Sequence, residues 1–246
     1  MIFYFTGTGN SLMAAKALAL EGETLVNMAT ARKAKEFAYQ TKGERVGFVF
    51  PVYCYTLPDV VLDFVRELSV DECGYAFAVV TCGGSIGGTA KYLSNELKKR
   101  GIDLLYATSL LVPDNAVFFY NIKPKEETDA RLDRAKQRLA AIKEELAAEK
   151  VERAKGLSAR FLRPMYHLLA GTKAFSVTDA CIACGMCARN CPDGAIEMKD
   201  GAPVWVKSRC TKCSACINRC PKAAIQYGKG SAKRLRYVNP VLKGGE

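Results

Sequence analysis

Eight of the chain's 11 cysteines lie between Cys181 and Cys220, in two runs: CIACGMCARNCP at 181–192 and CTKCSACINRCP at 210–221. Each reads C-x2-C-x2-C-x3-C-P. Every cysteine and the proline recur at an offset of 29, pairing 181 with 210, 184 with 213, 187 with 216, 191 with 220 and 192 with 221. Thiolates are soft anionic metal ligands. Three in one tight loop can wrap part of an iron–sulfur cubane, and a fourth must arrive from elsewhere to close the cage. Zinc in a pair of four-cysteine sites is the competing reading, but such sites more often show two separate C-x2-C pairs. A disulfide framework is disfavoured, because a chain of 246 residues needs none and MIFYFTGTGNS shows no basic n-region or cleavage site of a secretory signal.

A second constellation stands at the other end. Thr6, Gly7, Thr8, Gly9, Asn10 and Ser11 follow a short apolar run, Ile2–Phe5, and precede a helix-like stretch reaching about Leu20. Three hydroxyls, two glycines and a helix N-terminus on one turn make a cradle for an anion such as a monophosphate. The loop has no Lys or Arg, which argues against a triphosphate-binding P-loop. Two further loops follow predicted strands: PVYCYTLP at 51–58 after Val46–Phe50, and TCGGSIGG at 81–88 after Tyr75–Val80. In doubly wound sheets, ligands sit beyond the carboxyl ends of the strands. Residues 82–87 also approach the dinucleotide pattern G-x-G-x-x-G, with Asp103 downstream. Cysteine replaces the first glycine, which makes the tight turn, so NAD is not favoured.

The front loop, T-G-T-G-N-S after an N-terminal strand, resembles the FMN phosphate loop of flavodoxins, whose usual form ends in Thr. That resemblance implies FMN, with its phosphate held at Thr6–Ser11. Pro51, Val52 and Tyr53 would then lie against the isoalloxazine, with Tyr55 a second aromatic candidate. Thr81, Cys82, Gly83, Gly84 and Ser85 would line the flavin edge. The cysteine region resembles the bacterial-type two-cluster ferredoxins, in which the fourth cysteine of each run serves the other cluster. It implies two 4Fe–4S clusters, one on Cys181, Cys184, Cys187 and Cys220, the other on Cys210, Cys213, Cys216 and Cys191. Over residues 1–228 the chain is similar to the flavodoxin–ferredoxin fusion proteins of anaerobic bacteria and archaea. Electron transfer between the clusters and FMN is the implied role. The alternative is a flavin-dependent reductase of a quinone or nitro compound fed through the clusters; a third reading is a zinc-binding module on a flavin-free scaffold.

These sites need a scaffold, and the first 112 residues supply the pattern for one. Buried-strand candidates at Ile2–Phe5, Val46–Phe50, Tyr75–Val80 and Leu104–Val112 alternate with helix-like segments at 58–68 and 85–100, and Thr24–Met28 could form an edge strand. The expected fold is a doubly wound α/β domain with a five-stranded parallel sheet, followed by a smaller α+β ferredoxin domain. Leu132, Ala135, Leu139, Ile142 and Leu146 predict one long helix over 124–153, ended by Gly156. The expected division is 1–156, a connector at 157–174, the ferredoxin domain at 175–228 and a basic, extended or weakly ordered tail at 229–246. In the connector, the lone histidine, His167, reads as a packing or domain contact. Asn115 and Val117–Tyr120 read as interface packing or a cover for the flavin. Cys54 and Cys82 read as buried thiols near the flavin, and Cys73 as structural.

Charge is uneven. Residues 1–122 carry 11 basic and 12 acidic side chains, and residues 123–246 carry 25 and 13, within an overall +11. Basic residues near the clusters (Arg189, Lys207, Arg209, Lys212, Arg219 and Lys222) would offset cluster charge and steer an acidic ferredoxin-like redox partner. A small-molecule electron acceptor is the other partner class. No nucleic-acid recognition module and no apolar run of membrane-spanning length are present, and a cytoplasmic setting is expected.

Overall fold

The computed structural model describes residues 1–242; residues 243–246, with the tail's Lys243 and Glu246, lie outside the described residues. Five strands form a parallel sheet: β1 (Ile2–Tyr4), β2 (Leu25–Asn27), β3 (Arg45–Pro51), β4 (Tyr75–Cys82) and β5 (Leu104–Leu111), in spatial order β2-β1-β3-β4-β5. That is the 2-1-3-4-5 order of flavodoxin-like doubly wound sheets, with the switch point between β1 and β3. All eight residues of β4 are buried, as expected for a strand covered on both faces.

Helices α1 (Asn10–Leu18) and α5 (Lys125–Ala147) cover one face. Helices α2 (Met28–Ala34), α3 (Asp59–Glu67) and α4 (Thr89–Lys98) cover the other. Ala14 and Ala15 are fully buried and bring α1 close to the sheet. The predicted stripe of α5 is buried at Leu132, Ala135, Leu139, Ile142 and Leu146. Each large aliphatic side chain in it contributes about 1.5–3 kcal/mol.

Helix α5 is shorter than the sequence predicts. It stops at Ala147, Glu149 takes a left-handed φ of 48°, and the chain doubles back. Glu152 then pairs with β5 beside Tyr106, its N–H donating to the Leu105 carbonyl at 2.9 Å. The reversal is made without glycine, so the sequence carries no stop signal there. The short helix α2 (MATARKA) likewise shows no clear apolar period.

The C-terminal α+β region has two antiparallel pairs. Strand β6 (Phe175–Val177) pairs with β9 (Ile225–Tyr227), and β7 (Ile196–Lys199) with β8 (Ala202–Trp205). The first strand of one 29-residue unit thus pairs with the last strand of the other, giving a pseudo-twofold exchange. A connector of one 3-10 turn (Ala159–Leu162) and helix α6 (Arg163–Leu169) joins the two regions. Among the described residues, no helix is long and apolar enough to cross a membrane.

Candidate functional site

The phosphate-type loop sits between β1 and α1, and its groups are oriented by neighbours. Gly9, at φ 101°, caps α1, and its N–H donates to Thr6 Oγ1 at 2.9 Å. Asn115 Nδ2 donates to Thr8 Oγ1 at 2.7 Å. Each threonine oxygen therefore accepts from the protein and keeps its own proton to donate. Ser11 Oγ and Thr81 Oγ1 share a hydrogen bond of 2.8 Å, leaving one proton of the pair free. Asn10 behaves differently. Its Nδ2 donates to the Pro113 carbonyl, and its Oδ1 accepts from both Tyr237 Oη at 2.7 Å and Asn239 Nδ2 at 3.0 Å. The Asn10 side chain is a structural tie.

Thr6, Gly7, Thr8, Asn10 and Ser11 line one cleft with Pro51, Val52, Tyr53, Thr81, Cys82 and Gly83; its volume is about 470 Å³. A second cleft of about 1010 Å³ continues from it, sharing Val52, Tyr53, Gly83 and Asp114 and adding Cys54, Tyr55, Gly84 and Ser85. The three loops read from the sequence thus meet at the carboxyl ends of the strands. Cys54 and Tyr55 are consecutive left-handed residues, φ 48° and 58°, in a tight turn closed by Tyr53 and Thr56. Such a turn ordinarily takes Asn-Gly, so this loop stores strain where it meets the cleft. Tyr55 is exposed at the mouth. The Tyr53 ring meets Phe5 edge-on at 6.5 Å. Its phenol oxygen is buried without a partner in the protein, and burial beside the Cys213 thiol holds it protonated well above the usual tyrosine range. Cys82 is buried, and its thiol is pushed up by burial.

The eight clustered cysteines ring two cavities. Cys181, Cys184, Cys187 and Cys220 line one of about 440 Å³, with Cys216 at its edge. Cys191, Cys210, Cys213 and Cys216 line the other, of about 330 Å³. Among the described residues, no three His, Cys, Asp or Glu side chains are grouped tightly enough for a single metal ion.

The repeat extends to the backbone. Left-handed conformations recur at Ala183 and Lys212, Gly185 and Ser214, and Gly194 and Ala223, each pair 29 apart. Ala195 N–H points to Cys191 Sγ at 3.2 Å, and Ala224 N–H to Cys220 Sγ at 3.3 Å. Burial pushes the Cys210 thiol up to about 11 and drives Cys213 and Cys216 higher still, with neighbouring thiols adding to the effect at both. Thiols held this way become thiolates only with metal charge among them.

Lys212 departs from its expected surface role. It is only 8 % exposed. Its Nζ lies 3.5 Å from the Tyr227 ring centroid and 4.9 Å from those of Phe118 and Phe175, with no hydrogen-bond partner in the protein. Burial pulls its ammonium down to about 8. It steers no partner; it is a caged cation at the wall of the second thiol cavity, offset by aromatic faces.

The two sites are built against each other. A Cβ on Gly7 would collide with the Cys213 carbonyl oxygen, so only glycine lets the phosphate loop meet the cysteine loop. Asn115 links them again. Its side chain holds Thr8 while its carbonyl accepts from Ser214 Oγ and Asn218 Nδ2, both at 3.0 Å. Tyr166 of the connector donates to the Thr211 carbonyl at 2.9 Å, and Arg32 pairs with Asp193 at 3.3 Å. His167 Nε2 contacts Asp59 at 3.2 Å, the domain contact expected of it. Over its described residues, the tail is not an extended or loose arm. Residues 231–242 fold back with Tyr237 and Asn239 buried, and the Asn239 N–H donates to the Thr8 carbonyl at 2.8 Å. Tyr237 and Asn239 carried no motif; a short run of buriable side chains in a basic tail was the one available hint.

Residues 180–225 match the family model of the 4Fe-4S dicluster domain. No curated protein matches the chain. Among solved structures, the chain is similar to the crystal structure of azoreductase AzrA: 12 % identity over 58 % of this chain and 98 % of that one, TM-score 0.35. Rubredoxin:oxygen oxidoreductase from the anaerobe Desulfovibrio gigas is 22 % identical over 60 % and 36 %, TM-score 0.33. The Trp repressor binding protein of Bacillus subtilis is 12 % identical over 56 % and 95 %, TM-score 0.32. Scores this low carry no weight for what the chain does; the strand order and parallel crossovers carry the fold.

Proposed function

We propose that the chain is an electron-transfer protein that binds FMN at the carboxyl ends of β1, β3 and β4 and two 4Fe–4S clusters in the thiol-lined cavities. The observation that carries this reading is the contact of Gly7 with Cys213, which sets the phosphate cradle against a cluster-type loop. When bound, FMN exchanges one or two electrons and each cluster exchanges one. The chain's own residues supply position. Thr6, Thr8 and the Ser11–Thr81 pair present hydroxyl protons to a phosphate, with the Gly9 amide holding Thr6 Oγ1 in place. Val52, Tyr53, Gly83, Gly84 and Ser85 form the walls for the ring.

The two cysteine sets are unequal in access. Cys184 is exposed and Ile182 is 55 % exposed at the first, while Cys213 of the second is buried against the flavodoxin-like domain. The first cavity is therefore the port to a partner, and the second adjoins the flavin cleft. Exposed Lys222 and half-buried Arg219 line that port, and exposed Arg189 lies beside Gly185 in its lining, giving it a basic rim suited to an acidic carrier. The reductase reading has one observation of its own: Tyr55, Phe119 and Tyr120 stay 54, 42 and 58 % exposed at the mouth of the larger cleft, where a planar acceptor could stack.

Composition and a single variant test the proposal together. Anaerobically isolated protein should hold about eight iron, eight sulfide and one FMN per chain, as two cubanes and one flavin require. Cys213→Ser should lose about half the iron, keep the first cluster's signal and retain FMN. Zinc in place of iron, or iron content unchanged by Cys213→Ser, would contradict the assignment.

A further inference from the structure

The phosphate loop is held from outside by the far end of the chain. Asn239 packs over Gly9, where an added Cβ would sit 2.8 Å from the Asn239 Cβ. Its backbone N–H donates to the Thr8 carbonyl at 2.8 Å. Across the trans peptide joining Thr8 to Gly9, carbonyl and N–H point in opposite directions. Tying the Thr8 oxygen outward to the tail therefore turns the Gly9 N–H inward, onto Thr6 Oγ1. That bond leaves the Thr6 hydroxyl proton for a ligand. Tyr237 Oη and Asn239 Nδ2 together saturate Asn10 Oδ1, which fixes the first residue of α1. Tyr237 is itself seated by Asn218 of the second cysteine loop, whose Oδ1 accepts the Tyr237 N–H at 3.1 Å.

We propose that residues 237–239 act as a strap that sets the phosphate-binding geometry of the front loop, so that Tyr237 and Asn239 determine the preference for a phosphorylated flavin over an unphosphorylated one. Neither side chain lines the cradle or touches the ligand; both are positioning residues. The inference rests on the flavin reading above. It differs in assigning a ligand preference to residues more than 220 positions from the loop they control. The strap orients hydroxyls and amides at the phosphate end and leaves the ring-binding walls alone. Its loss should therefore cost the phosphate's share of the affinity and nothing else.

The test compares FMN with riboflavin, by quenching of flavin fluorescence on the full-length, cluster-loaded protein. In Tyr237→Phe/Asn239→Ala, the FMN dissociation constant should rise about tenfold, the scale of losing one or two buried hydrogen bonds, while that for riboflavin changes less than twofold. Tyr237→Phe alone, which keeps the buried ring, should give about a threefold rise and guards against a double variant that fails to fold. Parallel weakening of both flavins would show a merely structural role and overturn the proposal, as would unchanged FMN binding in both variants. If wild type binds neither flavin, the flavin reading itself fails; if it binds both equally, only the strap inference fails.

Discussion

A methyl group added to Gly7 would collide with the main chain of Cys213, and neither backbone is free to yield. The loop that Gly7 belongs to is fixed by β1 and α1, and the Cys213 loop is held at Thr211 by Tyr166 and Asp193. Gly7→Ala should therefore destabilise the whole molecule by about 1–3 kcal/mol, the usual cost of overpacking. A denaturant titration would show it as a lower midpoint, with flavin and second-cluster absorbance lost together. An unchanged midpoint would mean that the two loops are not in contact. The glycine was legible in the sequence as part of a phosphate loop, but its second duty was not, because nothing in TGTGNS says what lies behind it. The eight cysteines were the opposite case. Their spacing and the offset of 29 marked two repeated thiol loops, and the structure gathers these cysteines around two cavities. Lys212 was misread for a physical reason: charge in a sequence is taken as surface, and the ring cage that buries it comes from Phe118, Phe175 and Tyr227, which only the fold brings together.

At the scale of elements, the continuous apolar runs of β1, β3, β4 and β5 and the 3–4 spacing on α5 placed sheet and helix within a few residues. What the sequence hid were breaks made without glycine or proline, at Glu149 and at Cys54–Tyr55, where tertiary contacts hold ordinary residues in left-handed conformations. Helix α5 is also tied to β5 by polar bonds. Glu145 accepts from Arg138 Nη1 at 2.8 Å and from the Tyr106 hydroxyl, and the Arg138 bond leads in pulling its carboxyl down to about 2. A carboxyl lowered in the folded state stabilises above its unfolded value, near 4.5, and loses that contribution as pH falls toward 2. Glu145→Gln should be less stable than wild type at pH 7, and the gap in urea midpoint should narrow between pH 5 and pH 3. A gap that stays constant across that interval would show that the ionised carboxylate is not what stabilises the pairing.

Across the whole molecule, contacts converge on the second cysteine loop. The phosphate loop reaches it through Gly7, the exit of β5 through Asn115, the connector through Tyr166 and the tail through Tyr237. The first cysteine loop, by contrast, faces solvent at Ile182 and Cys184. This graded burial runs from the exposed first cysteine loop inward to the cleft at the strand ends; on the function proposed above, it would make the molecule a short conductor between a partner and a flavin. The most direct test is the rate at which electrons supplied to the clusters of oxidised, FMN-loaded protein reach the flavin, followed anaerobically by rapid mixing with a limiting amount of reduced ferredoxin. If the relay lies within one chain, the flavin should bleach in a phase whose rate is independent of protein concentration, and Cys213→Ser should abolish that phase. A rate that rises in proportion to protein concentration, or a phase untouched by Cys213→Ser, would contradict it.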